Sequence, residues 1–349
     1  MSSSSPFRAV HFEDPSAFIE ATKEHDDSFM NFAIGALLDN LDPRQAASQA
    51  HWGGGLKTLM GVYRDHDLLV TVTKIAKDFS WIISAPRGAH LEDHEISLAI
   101  RPLVSLFSTK VDPKTFDKLL GPTKYVNAFL DAWVTHMHET GTLSLKLLDP
   151  YFLSKVCYAV RATLPKPTPE FSIHKVSVAG DEDVESLASL YVEFTSTGPN
   201  AGTMEEGRAV MSTAVQFKSI WICRATLPNT ESTGDVVAGY VLMGRFTPRT
   251  VAIKNVFVSP AFRKRGIAET MVRAVTRYYL GATPLGFEGA PEGGPDGGIK
   301  EEVCLNVATP DAERLYLRTG FLVEKQDPAT GKEGWYPSCW RGVEQIPKT

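Results

Sequence analysis

The sequence predicts two mixed α/β domains joined by a short extended linker, and three observations predict it. The chain has 349 residues, more than one average domain core requires. Three prolines, Pro165, Pro167 and Pro169, lie within five residues, which excludes a helix and removes strand donors. On both sides of them, stretches of period two interleave with stretches of helical period. The expected divisions are a first domain over residues 6–163, a linker over 164–170 and a second domain over 171–345.

Before the linker, apolar positions at helical spacing run through residues 14–39, among them Phe18, Phe29, Phe32, Ala33, Ala36 and Leu37. Residues 68–75 and 81–85 read as strands with a turn at Asp78, and 103–108 as another strand. Residues 125–137, after the Gly121-Pro122 break, read as a helix. Gly53-Gly54-Gly55-Leu56-Lys57-Thr58 has the glycines of a phosphate loop, but Leu56 separates glycine from lysine and no apolar strand precedes it, so it reads as a turn.

After the linker, residues 171–178 alternate as a strand. Residues 181–194 form an amphipathic helix with Val184, Leu187, Ala188, Tyr191 and Phe194 along one stripe. Thr203 and Glu206 have the spacing of a capping box and open a second helix. Residues 219–225 and 236–246 are strands joined by the polar turn 228–232. Residues 251–258 are a third strand that runs directly into Arg263-Lys264-Arg265-Gly266-Ile267-Ala268 and then a helix to about Leu280. Residues 281–298 contain seven glycines and three prolines and read as a flexible insertion, bounded at 281–299. Residues 303–307 are a buried strand and 311–318 a short helix closed by Gly320. Two further strands are expected around Phe321 and Trp335.

Composition narrows the function. The 43% apolar and 22% charged fractions are those of a soluble globular chain. A net charge of −5 leaves no surplus of cations for a general nucleic-acid binder. Cys157, Cys223, Cys304 and Cys339 form no close pair of the kind zinc or redox motifs need, so they read as reduced, structural thiols and no metal is expected. Residues 1–5 carry neither a basic stretch nor an apolar core, and no segment approaches a membrane span of roughly 20 apolar residues. The expectation is a cytoplasmic enzyme with no membrane partner.

A strand, a turn, a glycine and a helix make a place for an anion. The first amides of a helix lack internal partners and the helix dipole adds positive charge there. Gly266 admits a close phosphate, and Arg263, Lys264 and Arg265 add fixed charge. Read alone, the same residues also suit a plain helix cap. Val256-Phe257-Val258-Ser259-Pro260 followed by Arg263-x-x-Gly266-x-Ala268 resembles the acetyl-CoA loop of the GCN5-related N-acetyltransferase (GNAT) superfamily. Ala312-x-x-Leu315-Tyr316-x-x-x-Gly320-Phe321 resembles the second signature of that superfamily, in the right order on the expected elements.

The resemblance covers about residues 171–341. It implies a mixed sheet that splays between strands 251–258 and 303–307, with the pantetheine arm of acetyl-CoA against the main chain at Val256, Phe257 and Val258. The pyrophosphate would rest on the loop from Arg263 through Lys264, Arg265, Gly266 and Ile267 to Ala268. Tyr316 matches the tyrosine that protonates the departing thiolate; its other reading is a core tyrosine packing helix on sheet. Where many relatives carry Asn, this chain has Thr309, which is fit to cap the helix and stands at the cofactor arm. Leu120-Gly121-Pro122 with Phe129 and Trp133 resembles the degenerate N-terminal GNAT-like domain of two-domain relatives.

The implied activity is acetyl transfer to the primary amine of a small molecule by direct attack. The alternatives are a non-catalytic acyl-CoA sensor and a protein N-acetyltransferase. Strand 251–256 carries no glutamate to serve as base; Asn255 suits orienting a water or the substrate, Glu193 reads as a solvated face residue, and His174 reads as surface or structural. Acceptor identity and oligomeric state are not encoded in any motif.

Overall fold

The structure is a computed structural model that describes residues 6–53, 55, 57–89, 91–167, 174–196, 201–226 and 235–347. In chain order its principal elements are β1 (Phe7–Phe12), α1 (Pro15–Thr22), α2 (Asn31–Leu41), α3 (Ala46–Gln49), β2 (Thr58–Arg64), β3 (Asp67–Lys74), β4 (Trp81–Ser84), α4 (Asp93–Lys110), β5 (Lys118–Pro122), α5 (Thr123–Glu139), β6 (Leu145–Leu147) and β7 (Phe152–Val160). There follow β8 (Lys175–Val178), α6 (Val184–Thr195), α7 (Met204–Gln216), β9 (Ile220–Thr226), β10 (Asp235–Gly244), β11 (Thr250–Val258), α8 (Ile267–Tyr279), β12 (Glu302–Val307), α9 (Pro310–Arg318) and β13 (Trp335–Gln345).

The chain divides into two compact units. Unit 1 holds Met1–Leu37, Trp52–Val156 and Tyr336–Thr349; unit 2 holds Leu38–His51 and Cys157–Trp335. Chain order alone would leave the last strand with the second unit. Instead β13 pairs antiparallel with β5, Ser338 opposite Pro122, and its Cys339 and Val343 lie in the first core. Conversely Cys157 and Ala159, at the end of β7, lie in the second core. Apolar faces decide membership here, and a period-two pattern does not say which core it faces.

Both units run in one order: strand, two helices, three antiparallel strands, helix, parallel strand, helix. In unit 1 these are β1, α1, α2, β2, β3, β4, α4, β5 and α5, with β4 and β5 parallel. In unit 2 they are β8, α6, α7, β9, β10, β11, α8, β12 and α9, with β11 and β12 parallel. The first core centres on Phe107, Phe116, Phe129 and Trp133, whose rings meet mostly edge to face, for example Phe107 and Trp133 at 5.3 Å, the arrangement aromatic quadrupoles prefer. In unit 2 one sheet face carries α8 and α9 over Val251, Ile253 and Val258. The other carries α6 and α7 over Tyr240, Leu242 and Phe257.

Most elements of the second unit stand where the pattern predicts them. The capping box closes as expected: Glu206 N donates to Thr203 Oγ1 (3.2 Å) and Thr203 N to Glu206 Oε2 (2.7 Å). The linker is described to Pro167 and has no regular structure; the expected turn at 228–232 lies outside the described residues, as does the start of the 171–178 strand.

Two expectations need correction, at 103–108 and Phe321; the helical spacing over 14–39 divides between two helices, and two strands are additions. Residues 103–108 are not a strand but the end of α4, whose buried stripe Ile96, Ala99, Ile100, Leu103, Val104 and Phe107 has helical period; Pro102 within it obscures the reading. The 14–39 stretch is two helices, because Asp27 Oδ1 accepts the amides of Phe29 (2.8 Å) and Met30 (3.1 Å) and so starts a new one. Phe321 is in no strand; it packs on the Tyr316 ring instead. Strands β1 and β2 were not foreseen.

The insertion is anchored rather than loose. Arg277, buried on α8, donates from Nε to Leu285 O (2.9 Å), from Nη1 to Pro165 O (2.9 Å) and from Nη2 to Pro284 O. Phe287 packs against Trp221 with ring centres 5.8 Å apart. Gly289 bridges Ser177 on the edge strand β8, so close that a Cβ there would stand 1.9 Å from Val176 O. The pull of one buried guanidinium on three carbonyls outweighs a composition that favours disorder. Arg277→Met should therefore lower stability by about 2–4 kcal/mol in urea titrations and make residues 281–299 newly sensitive to limited proteolysis.

Candidate functional site

The site starts from a divergence of two strands. The parallel strands β11 and β12 pair at Thr250–Glu302, Val251–Val303 and Ala252–Cys304, and no farther. On its other side β11 stays paired with β10 out to Val258 opposite Gly239, with a bulge at Lys254. A bulge bends and twists its strand, and here it stands just where β11 leaves β12. Residues 253–258 thus keep one neighbour and present the other edge to the gap. Val256 and Val258 face the α8 side, and Phe257 the α6 side.

The loop after β11 has an unusual backbone. Lys264 has φ +62° and Gly266 φ +79°, both left-handed. For Gly266 this costs nothing; for Lys264 it is strained by about 1 kcal/mol. Gly266 is the N-cap of α8 and offers no side chain to cap it. Among the described residues the backbone amides of residues 264–269 consequently have no acceptor. Alternating backbone handedness followed by a helix start makes a concave nest of N–H groups. Arg263 ties the loop to its strand, Nε donating to Val258 O (3.0 Å) with the guanidinium over Phe257. Arg265 lies over Phe262, and residues 263–266 are exposed while Ile267 is buried.

Tyr316 lies on α9, buried among the same residues that back the gap. Its ring meets Phe321 edge-on at 5.6 Å, so the packing role is real. Desolvation first, and the nearby Cys157 thiol second, push its phenol far above the ordinary value. Thr309 is the N-cap of α9, its Oγ1 accepting from Ala312 N at 3.3 Å.

The residue-206-to-286 stretch, with this loop inside it, matches the family model described as the acetyltransferase (GNAT) family. Over these residues the chain is similar to the GNAT acetyltransferase family. Solved structures similar to the whole chain include a tandem GNAT protein from the clavulanic acid biosynthesis pathway, at 10% identity and TM-score 0.44, covering 98% of this chain and 100% of that one. Another is a GCN5-related N-acetyltransferase from Sphaerobacter thermophilus, at 13% identity and TM-score 0.45, covering 99% and 97%. A search of curated proteins finds no match.

In the second unit, three residues that sequence reasoning passed over stand near the divergence. Tyr240 is fully buried, its hydroxyl without a well-formed hydrogen bond; desolvation raises its phenol well above the ordinary value, with Asn255 pulling weakly the other way. Lys254 lies along Gly244. Its side chain is exposed, and where it lies against the protein burial lowers its pKa against the pull of Asp39. Asp39, contributed by residues 38–51, accepts Arg245 N at 2.9 Å. Only a three-dimensional arrangement joins positions 39 and 245; no sequence signal marks the pair. Glu193 is exposed, as expected.

Unit 1 shows why the same order of elements need not hold an anion. The helix after β4 begins with Glu92, Asp93 and Glu95, and Glu95 Oε2 accepts Glu92 N at 3.1 Å. Carboxylates already occupy the positive end of that helix. Among the described residues no group of three or more His, Cys, Asp or Glu is placed to hold a metal, and no helix is long and apolar enough to cross a membrane. All four cysteines are buried, and among the described residues none is in a disulfide.

The raised phenols Tyr240, Tyr279 and Tyr316 carry a pH signature. A phenol that ionises less readily folded than unfolded leaves stability intact below its ordinary value near 10. Stability then falls as pH rises from there towards the folded value. Urea titrations at about pH 9 and about pH 11 should show that fall, and Tyr240→Phe or Tyr279→Phe should each flatten it by up to about 1.4 kcal/mol per pH unit.

Proposed function

We propose that the chain is an acetyl-CoA-dependent N-acetyltransferase that acetylates the primary amine of a small molecule. The observation that carries this reading is the run of acceptor-less amides at 264–269, set at the end of the strand that parts from its neighbour. The fit to a diphosphate rests on the chain itself: unpaired donors, a left-handed glycine where a side chain would crowd the cradle, and exposed Arg263, Lys264 and Arg265 around it. When bound, acetyl-CoA supplies an acyl group activated as a thioester.

The residues divide the work. Amides from Lys264 to Ala268, with the Arg263 side chain beside them, would hold the diphosphate, and the open edge at Val256, Phe257 and Val258 would hold the pantetheine arm. The Thr309 hydroxyl, already accepting from Ala312, keeps a proton to donate. Tyr316 holds a proton at its phenol oxygen because its surroundings disfavour the anion; the same surroundings disfavour a thiolate beside it, so proton transfer between them is less uphill than in water. Gap residues orient the incoming amine, with Asn255 offering a neutral polar contact. Direct attack then needs no covalent acyl-enzyme, only positioning.

A second reading, a non-catalytic acyl-CoA sensor, is favoured by one observation: β11 carries no carboxylate to take the amine's proton. The two separate in one experiment, thiol release from acetyl-CoA with a panel of small amines alongside calorimetry with CoA. Turnover with at least one amine supports the enzyme; binding without turnover on any supports the sensor. Tyr316→Phe should cut kcat by about 100-fold while leaving CoA affinity near that of the parent, and unchanged kcat removes the acid assignment. Gly266→Val, by contrast, should abolish CoA binding, since it forces a β-branched residue to a left-handed φ and fills the cradle.

A further inference from the structure

The segment preceding β8 supplies one side chain to the loop, from ninety residues away in sequence. His174 Nε2 lies 2.8 Å from Arg265 O. A carbonyl oxygen can only accept, so Nε2 must carry the proton, whether the ring is neutral or charged. The group on the far side of that same peptide unit is the amide of Gly266. In a trans peptide C=O and N–H point in opposite directions, so pulling the Arg265 oxygen outward to the imidazole turns the Gly266 N–H inward to the nest.

The loop needs this help because of its own glycine. Gly266 sits at φ +79°, and glycine takes positive and negative φ about equally. The residue that lets a phosphate approach therefore also lets its own peptide flip. A flipped unit would aim a carbonyl oxygen, instead of an N–H, at the diphosphate. No other side chain holds this carbonyl among the described residues; the nearest atom to a Cβ built on Gly266 is His174 Nε2 itself, at 3.9 Å. The sequence reading of His174 as surface or structural misses this, since nothing in the 171–178 alternation points to position 265.

We infer that His174 is a positioning residue for the diphosphate loop: by donating to Arg265 O it holds the Gly266 amide in the orientation that binds the phosphates of the acyl donor. This rests on the acetyl-CoA reading of the loop. It acts on the phosphate end of the donor and leaves the pantetheine end and Tyr316 untouched.

The test compares two ligands on three proteins. CoA is titrated calorimetrically, and pantetheine, which lacks the diphosphate, is titrated by NMR, against the parent, His174→Ala and His174→Gln. His174→Ala should weaken CoA by about tenfold and leave pantetheine and the melting temperature unchanged. His174→Gln keeps an N–H donor of similar reach and should recover most of the loss. Equal weakening of both ligands, a lowered melting temperature in both variants, or an unchanged CoA affinity in His174→Ala overturns the positioning role while the loop assignment stands. A parent protein that binds CoA no better than pantetheine overturns the loop assignment, and the role of His174 with it.

Discussion

The second unit depends on β11 keeping one partner and giving up the other. Three residue pairs with β12 hold the base of the gap, from Thr250 to Ala252. Beyond them only β10 supports the strand, across the bulge at Lys254. Backbone groups left without partners are costly in a dry interior, so a strand is left open only where solvent or a ligand reaches it. The opening also fixes where the loop falls, because β11 carries its end at Val258 straight into residues 259–266. Gap and nest are one construction.

The packing around this construction holds its shape. Val251, Ile253 and Val258 are pressed from one side by α8, and Tyr240, Leu242 and Phe257 from the other by α6 and α7. Glu269, at the first turn of α8, pairs with Arg273 (2.9 Å) and with Arg318 of α9 (2.8 Å), so the two helices that flank the gap are tied at the end nearest the loop. Arg277, farther along α8, gathers the linker and the insertion. One helix thus positions the anion nest at its start and the peripheral segments at its end. Lys264, just before this helix, keeps a left-handed φ of 62°, and strain of that kind collects at functional sites.

Legibility in the sequence followed range. Elements whose cause is local were readable: the Thr203 box, the Thr309 cap, the glycine ending α9, and the helix that follows Gly266. Those whose cause is distant were not. Residues 103–108 took on a strand pattern only because Pro102 hid the helical stripe that continues from Ile96. The 281–299 insertion reads as disordered because the residue that orders it, Arg277, lies outside it.

What the sequence by itself determined is the make-up of the loop at 263–268 and its partner helix: a glycine free to turn left-handed, cations beside it, a helix to follow, and a tyrosine on the next helix. These are properties of residue type and short spacing, where covalent geometry and helix ends act over a few residues. Only the tertiary structure decided that β13 completes the first core while the end of β7 joins the second. Nor could sequence show that Asp39 accepts the amide of Arg245, or that His174 holds the carbonyl of Arg265. Strand pairing and side-chain contact depend on which apolar faces find each other, and a pattern of alternation names a face without naming its partner.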